Sequence, residues 1–164
     1  MRTAFLALVV GLAGFACGKG DSGDRRLLEL RPVVGTNPPP CPKEAPEDGE
    51  LVLPLSAEDK VAECLRLARP IVDAEDVRSA TVANTPGGAP ALSVVLGGAG
   101  GADLDGFAQR NQGERLAIVV DGELVNAPVV RFTSFAGRVQ VTGLSKERTE
   151  DLFRRLNRVI KPGD

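Results

Sequence analysis

Three carboxylates stand where this sequence could do chemistry. Asp121 lies beside Gly122 between two apolar runs in RLAIVVDGELVNAPVVR, and Asp103 and Asp105 lie in the glycine-rich GGAGGADLDG. Carboxylates of this kind could act as acid and base on a polysaccharide or hold Ca²⁺. Spacing argues against both. Asp121-Gly122 is the pair that a two-residue type I′ turn requires, because both central residues take φ > 0, so Asp121 is expected to be a hairpin corner. Counted from Asp103, the sixth position is Ala108, where a calcium loop needs Gly. The glycine run has neither G-x-x-x-x-G-K-[ST] nor a G-x-G-x-x-G that opens a long helix, so it is expected to be a solvated connection. The chain has no His and no Tyr, which removes Ser-His-Asp, Cys-His and His-based zinc chemistry. The expectation is a protein that is not an enzyme, with no metal and no cofactor. Its 20 basic and 22 acidic residues give a net charge of −2, too weak a field to favour nucleic acid or an acidic membrane surface.

The N-terminus carries a different signal. MRTAFLALVVGLAGFA has one basic residue and an apolar run too short to span a bilayer, so residues 1–16 read as a secretory signal peptide. Cys17 follows, and Gly14 and Ala16 around Phe15 resemble a bacterial lipobox, in which the Cys is lipidated. An ordinary signal peptidase would cut at the same bond and leave a soluble chain beginning at Cys17. Removing the signal takes Arg2 and no acid. With Cys17 lipidated, Cys41 and Cys64 remain as one pair suited to an oxidising compartment, the alternative being two unpaired thiols. Their bridge would close a loop of about 24 residues, worth roughly 3 kcal/mol in the chain-entropy model.

Residues 17–26 are small, polar and glycine-containing, and read as a flexible tether to a domain over 27–161. LLELRPVV reads as a first strand, with Pro32 placing it at a sheet edge or strand end. TNPPPCPKEAPEDGE is an extended Pro-rich loop, and LVLPL a short strand. Ser56-Ala57-Glu58-Asp59 fits a capping box, and Val61, Cys64, Leu65 and Ala68 keep a helical period up to Pro70. DAEDVRSATVANTPGG reads as a helical turn and a loop, and ALSVVL as a strand. Leu104, Phe107, Ala108 and Asn111 mark a short helix ending at Gly113. LAIVV and ELVNAPVV form the hairpin around Asp121-Gly122, and RVQVTG is one more strand. SKERTEDLFRRLNRVI is an amphipathic helix from Ser145 that buries Leu152, Phe153, Leu156, Val159 and Ile160 and turns Arg154, Arg155 and Arg158 largely outward. The pattern predicts an α+β fold: a single mixed or antiparallel sheet with helices packed on it.

The hairpin says more. Residues 113–130, GERLAIVVDGELVNAPVV, closely resemble the "lAIVLDGkVisAPvi" segment of SecD, a membrane subunit that assists protein export through the Sec translocon. GRVQVTG, from Gly137 to Gly143, resembles that family's "GG-x-x-QITG" signature. The matching positions are Asp121, Gly122, Ala127, Pro128, Gly137, Gln140 and Gly143. Leu30-Arg31-Pro32-Val33 resembles the family's "RPV" strand, Pro70 to Ala80 its "GP-x-x-v-x-G-x-D-v-x-x-A" region, and Asn111 the Asn of its "T-x-x-N-x-G" helix end. The resemblance covers most of Leu27 to Ile160 and implies the head of SecD's first large periplasmic domain. The family's membrane helices and their charged residues couple proton flow to movement of that head. After Ala16 this sequence has no apolar stretch long enough to cross a bilayer, so the expectation is a detached binding module and not a proton-driven motor.

These readings converge on an extracytoplasmic lipoprotein, in the periplasm or at the cell surface. It would be anchored by its N-terminal lipid alone and use a SecD-head-like module to bind a protein partner. That partner could be a translocon component or an exported polypeptide, in a role accessory to export. The alternative is a stand-alone envelope scaffold or ligand-binding protein unrelated to Sec. The candidate contact is the loop after the hairpin, RFTSFAG, where Arg131, Phe132 and Phe135 occupy positions at which a turn is normally polar; the alternative is that Phe132 and Phe135 fold back onto the core.

Overall fold

The computed structural model describes residues 26–43, 49–57 and 60–160; the signal, Cys17 and most of the tether lie outside them. Among the described residues there are eight strands: β1 Glu29–Asn37, β2 Leu51–Ala57, β3 Lys60–Leu67, β4 Val77–Asn84, β5 Pro90–Leu96, β6 Leu116–Val120, β7 Glu123–Asn126 and β8 Arg138–Thr142. Two helices accompany them, α1 Gly98–Arg110 and α2 Lys146–Val159, with a single 3₁₀ turn at Ala74–Asp76. All strand pairs are antiparallel. The α+β class is as expected, but the strands divide between two sheets where the sequence pattern predicts one: a five-stranded sheet in the order β2-β3-β1-β6-β7 and a three-stranded sheet in the order β4-β5-β8.

The division follows from β6. All five residues of LAIVV are buried. Because successive side chains of a strand point to opposite faces, Leu116, Ile118 and Val120 enter one apolar cluster and Ala117 and Val119 another. The larger cluster gathers Leu30 from β1, Leu92, Val94 and Leu96 from β5, Val141 from β8, Leu104 and Phe107 from α1, and Leu152 and Leu156 from α2. The smaller joins Leu65 and Leu67 of β3 to Ala117, Val119 and Ala127. The edge strands β2 and β7 approach each other, so the five-stranded sheet curls around this second cluster.

β1 makes the curl possible. Its first half, Glu29–Pro32, pairs with β6, and its second half, Val33–Asn37, pairs with β3 across a register shift between Val33 and Gly35. Pro32 sits where the strand changes partner. It is therefore inside the sheet order and not at an edge, and the N–H it lacks is made good by a side chain, since Arg31 Nη1 donates to the Ala68 carbonyl opposite position 32. Its carbonyl accepts from Ala68 N–H, and Val33 N–H donates to Arg115 O. On the face of β1 opposite Leu30, the Arg31 guanidinium is buried against Glu29, with Nε 2.8 Å from Oε2. It also donates to the carbonyls of Gly49 and Ala68, so one buried ion pair joins β1 to the segments flanking β2 and β3.

Four local expectations are corrected. Residues 60–67 form β3 and not a helix begun by a capping box at Ser56. Glu63, Leu65 and Leu67 alternate with Cys64 and Arg66, and pairing to both β1 and β2 satisfies the backbone in extended form. The bridge between Cys41 and Cys64, with Cα atoms 5.3 Å apart, ties the Pro-rich segment to this central strand. Residues 77–84 form strand β4 and not a loop. The glycine run is not a solvated connection: it opens α1, with Gly100 and Gly101 buried. A Cβ on Gly100 would lie 2.6 Å from Asp76 Cβ, and one on Gly101 would lie 3.3 Å from Gly137 Cα, so the helix starts on glycines because two neighbouring segments press against it. Finally, Arg155 is not an outward solvated residue. It grips Asp121 in a fork, with Nη2 2.6 Å from Oδ1 and Nη1 2.9 Å from Oδ2. The hydrogen bond to Asp121, opposed by burial, raises the guanidinium above its ordinary pKa.

Asp121 (φ 54°) and Gly122 (φ 79°) form the expected turn, and the corner carboxylate thereby clamps α2 to the β6–β7 hairpin. Ser145 caps α2, its hydroxyl accepting from Arg148 N–H.

Two predictions follow from this packing. Glu29→Gln strands the buried Arg31 charge and is expected to lower unfolding free energy by about 3 kcal/mol in denaturant titration; an unchanged midpoint would refute the buried pair. Gly106→Ala, whose new Cβ meets only the flexible end of Arg110 at 3.4 Å, is expected to stabilise by about 0.5–1 kcal/mol. Gly100→Ala is expected to destabilise, and opposite signs in thermal melts are the check.

Candidate functional site

The hairpin does not end with β7. After Asn126 the chain runs back along the start of β6: Leu116 N–H donates to Pro128 O, Val130 N–H to Glu114 O and Gly113 N–H to Val130 O. Arg115 fastens this return, with Nε donating to Ala127 O and Nη1 donating to the Glu63 carboxylate. Arg131 and Phe132 therefore emerge from a rigidly held base. Phe132 is 70 % exposed, whereas Phe135 is half-buried against the larger cluster. The two aromatic residues separate into a presented side chain and a core side chain.

The loop between them is held from α1. Asp105 Oδ1 accepts from Phe135 N–H at 2.6 Å and Oδ2 from the Ser134 hydroxyl at 2.8 Å, while Ser134 Oγ accepts from Ala136 N–H at 3.0 Å. Ala136 (φ 50°) and Gly137 (φ 64°) are both left-handed, and the close approach of Gly101 to Gly137 fixes where the turn lies against the helix. A non-glycine residue in that conformation carries strain that its surroundings must hold.

Beneath the loop is an apolar pocket of about 210 Å³. Leu30, Leu116 and Ile118 form its floor, the return segment from Pro128 to Phe132 and Phe135 form one side, and Arg138, Val139 and Gln140 of β8 form the other. All three candidate contact residues, Arg131, Phe132 and Phe135, thus line one cavity. The sequence singles these three out as a candidate partner contact but gives no sign of Leu30, Ile118, Arg138 or Val139 beside them, because strand residues from two sheets meet here only after folding.

The motif residues occupy structural positions around it. Asp121 and Gly122 turn the hairpin, and Ala127 is buried in the smaller cluster. Pro128 and Gln140 line the pocket. Gly137 O accepts from Leu96 N–H, and Gly143 (φ 93°) packs by Val125. The three carboxylates first considered for chemistry have separate tasks: Asp121 holds Arg155, Asp105 holds the loop, and Asp103 is exposed on α1. Among the described residues no group of His, Cys, Asp and Glu could hold a metal ion. No described helix is long and apolar enough to cross a membrane.

The chain is similar to proteins of the export machinery. It is 32 % identical over 147 residues to the protein translocase subunit SecD of Aquifex aeolicus, covering 87 % of this chain and 28 % of that protein. It is 32 % identical over 123 residues to the SecD of Acetobacter pasteurianus, covering 72 % and 21 %. The chain therefore spans roughly a quarter of the length of these relatives. Among solved structures it superposes with a TM-score of 0.58 and 23 % identity on a membrane component SecDF that enhances protein export, covering 90 % of this chain and 71 % of that one. It superposes with the same score and 24 % identity on SecDF in its super-membrane-facing form, covering 84 % and 19 %. At these identities the likeness is one of fold. The model of the SecDF P1 head subdomain matches residues 52–158, more than half of the sequence, and the chain belongs to that family.

Proposed function

We propose that this chain is a non-enzymatic, extracytoplasmic binding module, tethered to a membrane by lipid on Cys17, that holds polypeptide in a step accessory to protein export. One observation carries the reading: a SecDF head subdomain presents Phe132, 70 % exposed, at the mouth of an apolar pocket. A side chain of that size left in water above an apolar cavity is what a protein contact needs at its centre. The surrounding residues supply rigidity, with Asp105 committed to Ser134 and Phe135 and Asp121 to Arg155.

The reading separates the two aromatic residues. Phe132→Ser is expected to leave the denaturant midpoint within about 0.5 kcal/mol of the parent, whereas Phe135→Ser removes core packing and should cost about 1–3 kcal/mol. A photo-crosslinking amino acid at position 132, activated in intact cells, should trap translocon subunits or a spread of exported chains. A single unrelated envelope protein, or no adduct, would leave the resemblance as one of fold and ancestry and favour a stand-alone scaffold.

Anchoring has its own test. Mass spectrometry of the mature N-terminal peptide is expected to show an acylated Cys17, and Cys17→Ser should release the protein from membranes. An unmodified cysteine at the mature N-terminus would contradict the lipid anchor.

A further inference from the structure

The pocket under Phe132 also carries a charge pattern. Two arginines, Arg131 and Arg138, line it and no carboxylate does. Both are exposed, and among the described residues neither has an ion-pair or side-chain hydrogen-bond partner; Arg78, Arg110 and Arg158 share that state, but only Arg131 and Arg138 line this pocket. The carboxylate that holds the loop, Asp105, is occupied by Ser134 and Phe135. On a chain whose net charge is negative, two uncompensated guanidinium groups beside one apolar cavity favour a ligand that is apolar at one point and anionic next to it.

The strand beside the pocket adds a backbone constraint. β8 is an edge of its sheet. Leu96 N–H donates to Gly137 O, and the register continues as Val95 with Arg138, Val94 with Val139 and Ser93 with Gln140. Antiparallel pairs alternate between bonded and non-bonded, so the Val94–Val139 pair is bonded and the Gln140 N–H and C=O face away from β5. Gln140 also lines the pocket. An extended segment laid along this edge would find one donor and one acceptor at the pocket wall.

From these observations we infer that the pocket takes an extended polypeptide segment in which an apolar side chain is flanked by an acidic residue. The apolar side chain fills the cavity against Phe132, the acidic one meets Arg131 and Arg138, and the backbone adds to β8 at Gln140. The inference rests on the binding reading above and specifies the chemistry of what is bound.

Two synthetic peptides of about ten residues, one with a central Leu flanked by Glu and its twin with Lys in place of Glu, would be titrated against the mature protein at low and high salt. The acidic peptide is expected to bind about tenfold more tightly, with a preference that salt weakens and that Arg131→Gln with Arg138→Gln abolishes. Phe132→Ser should weaken both peptides alike, and N-methylation of the backbone beside Leu should weaken the acidic one. Equal affinities, insensitive to the arginine variants, would overturn the charge inference and leave polypeptide binding standing. No binding of either peptide would overturn both. Arginine-dependent binding to vesicles containing an anionic lipid, with neither peptide bound, would make the occupant a membrane surface and reject this proposal.

Discussion

Burial of β6 on both faces is the constraint on which the rest of this structure depends. A strand with only one apolar face can belong to one layer. LAIVV is apolar at every position, so it must be covered twice. The larger cluster covers Leu116, Ile118 and Val120 with the helices and the three-stranded sheet, and the smaller covers Ala117 and Val119 by curling the five-stranded sheet round on itself. Pro32 marks the point at which β1 leaves β6 for β3, and the Asp121-Gly122 corner sends the chain back along the same strand.

The candidate site is a by-product of that arrangement. Where the two sheets meet, their facing residues do not close completely, and the gap becomes the pocket floored by Leu30, Leu116 and Ile118. The loop above it is held by contacts that come from elsewhere in the chain: Asp105 from α1, and the glycine-to-glycine approach of Gly101 and Gly137. Such a loop offers an exposed aromatic residue without the entropic cost of ordering it on binding.

Much of this was legible in the sequence because it was local. Asp121-Gly122 required the turn, Ser145 marked the start of α2, and the apolar run LAIVV marked the first arm of the hairpin. What was hidden depended on neighbours distant in sequence. Val61, Cys64, Leu65 and Ala68 keep a helical period, but Leu65 and Leu67 also keep the strand period, and only pairing with β1 and β2 decides between them. GGAGG looked like a loop because glycine disfavours helices; the crowding by Asp76 and Gly137 that makes Gly100 and Gly101 necessary cannot be seen until the chain is folded. VRSATVA held enough β-branched residues to be read as a strand, and the acidic and glycine-rich flanks drew the reading away. At the site, the exposed Phe132 could be noticed from its position in a polar turn, whereas its cavity is shared among β1, β6 and β8.

The central claim is that the segment from Pro128 to Gln140 is a preformed binding surface on an otherwise unchanging head. Hydrogen–deuterium exchange of the mature protein, with and without a saturating unfolded exported-type polypeptide, tests it most directly. The account predicts new protection confined to residues 128–140, with β6 and α2 unaltered. Protection spread across the domain, or found only on a surface remote from Phe132, would contradict it.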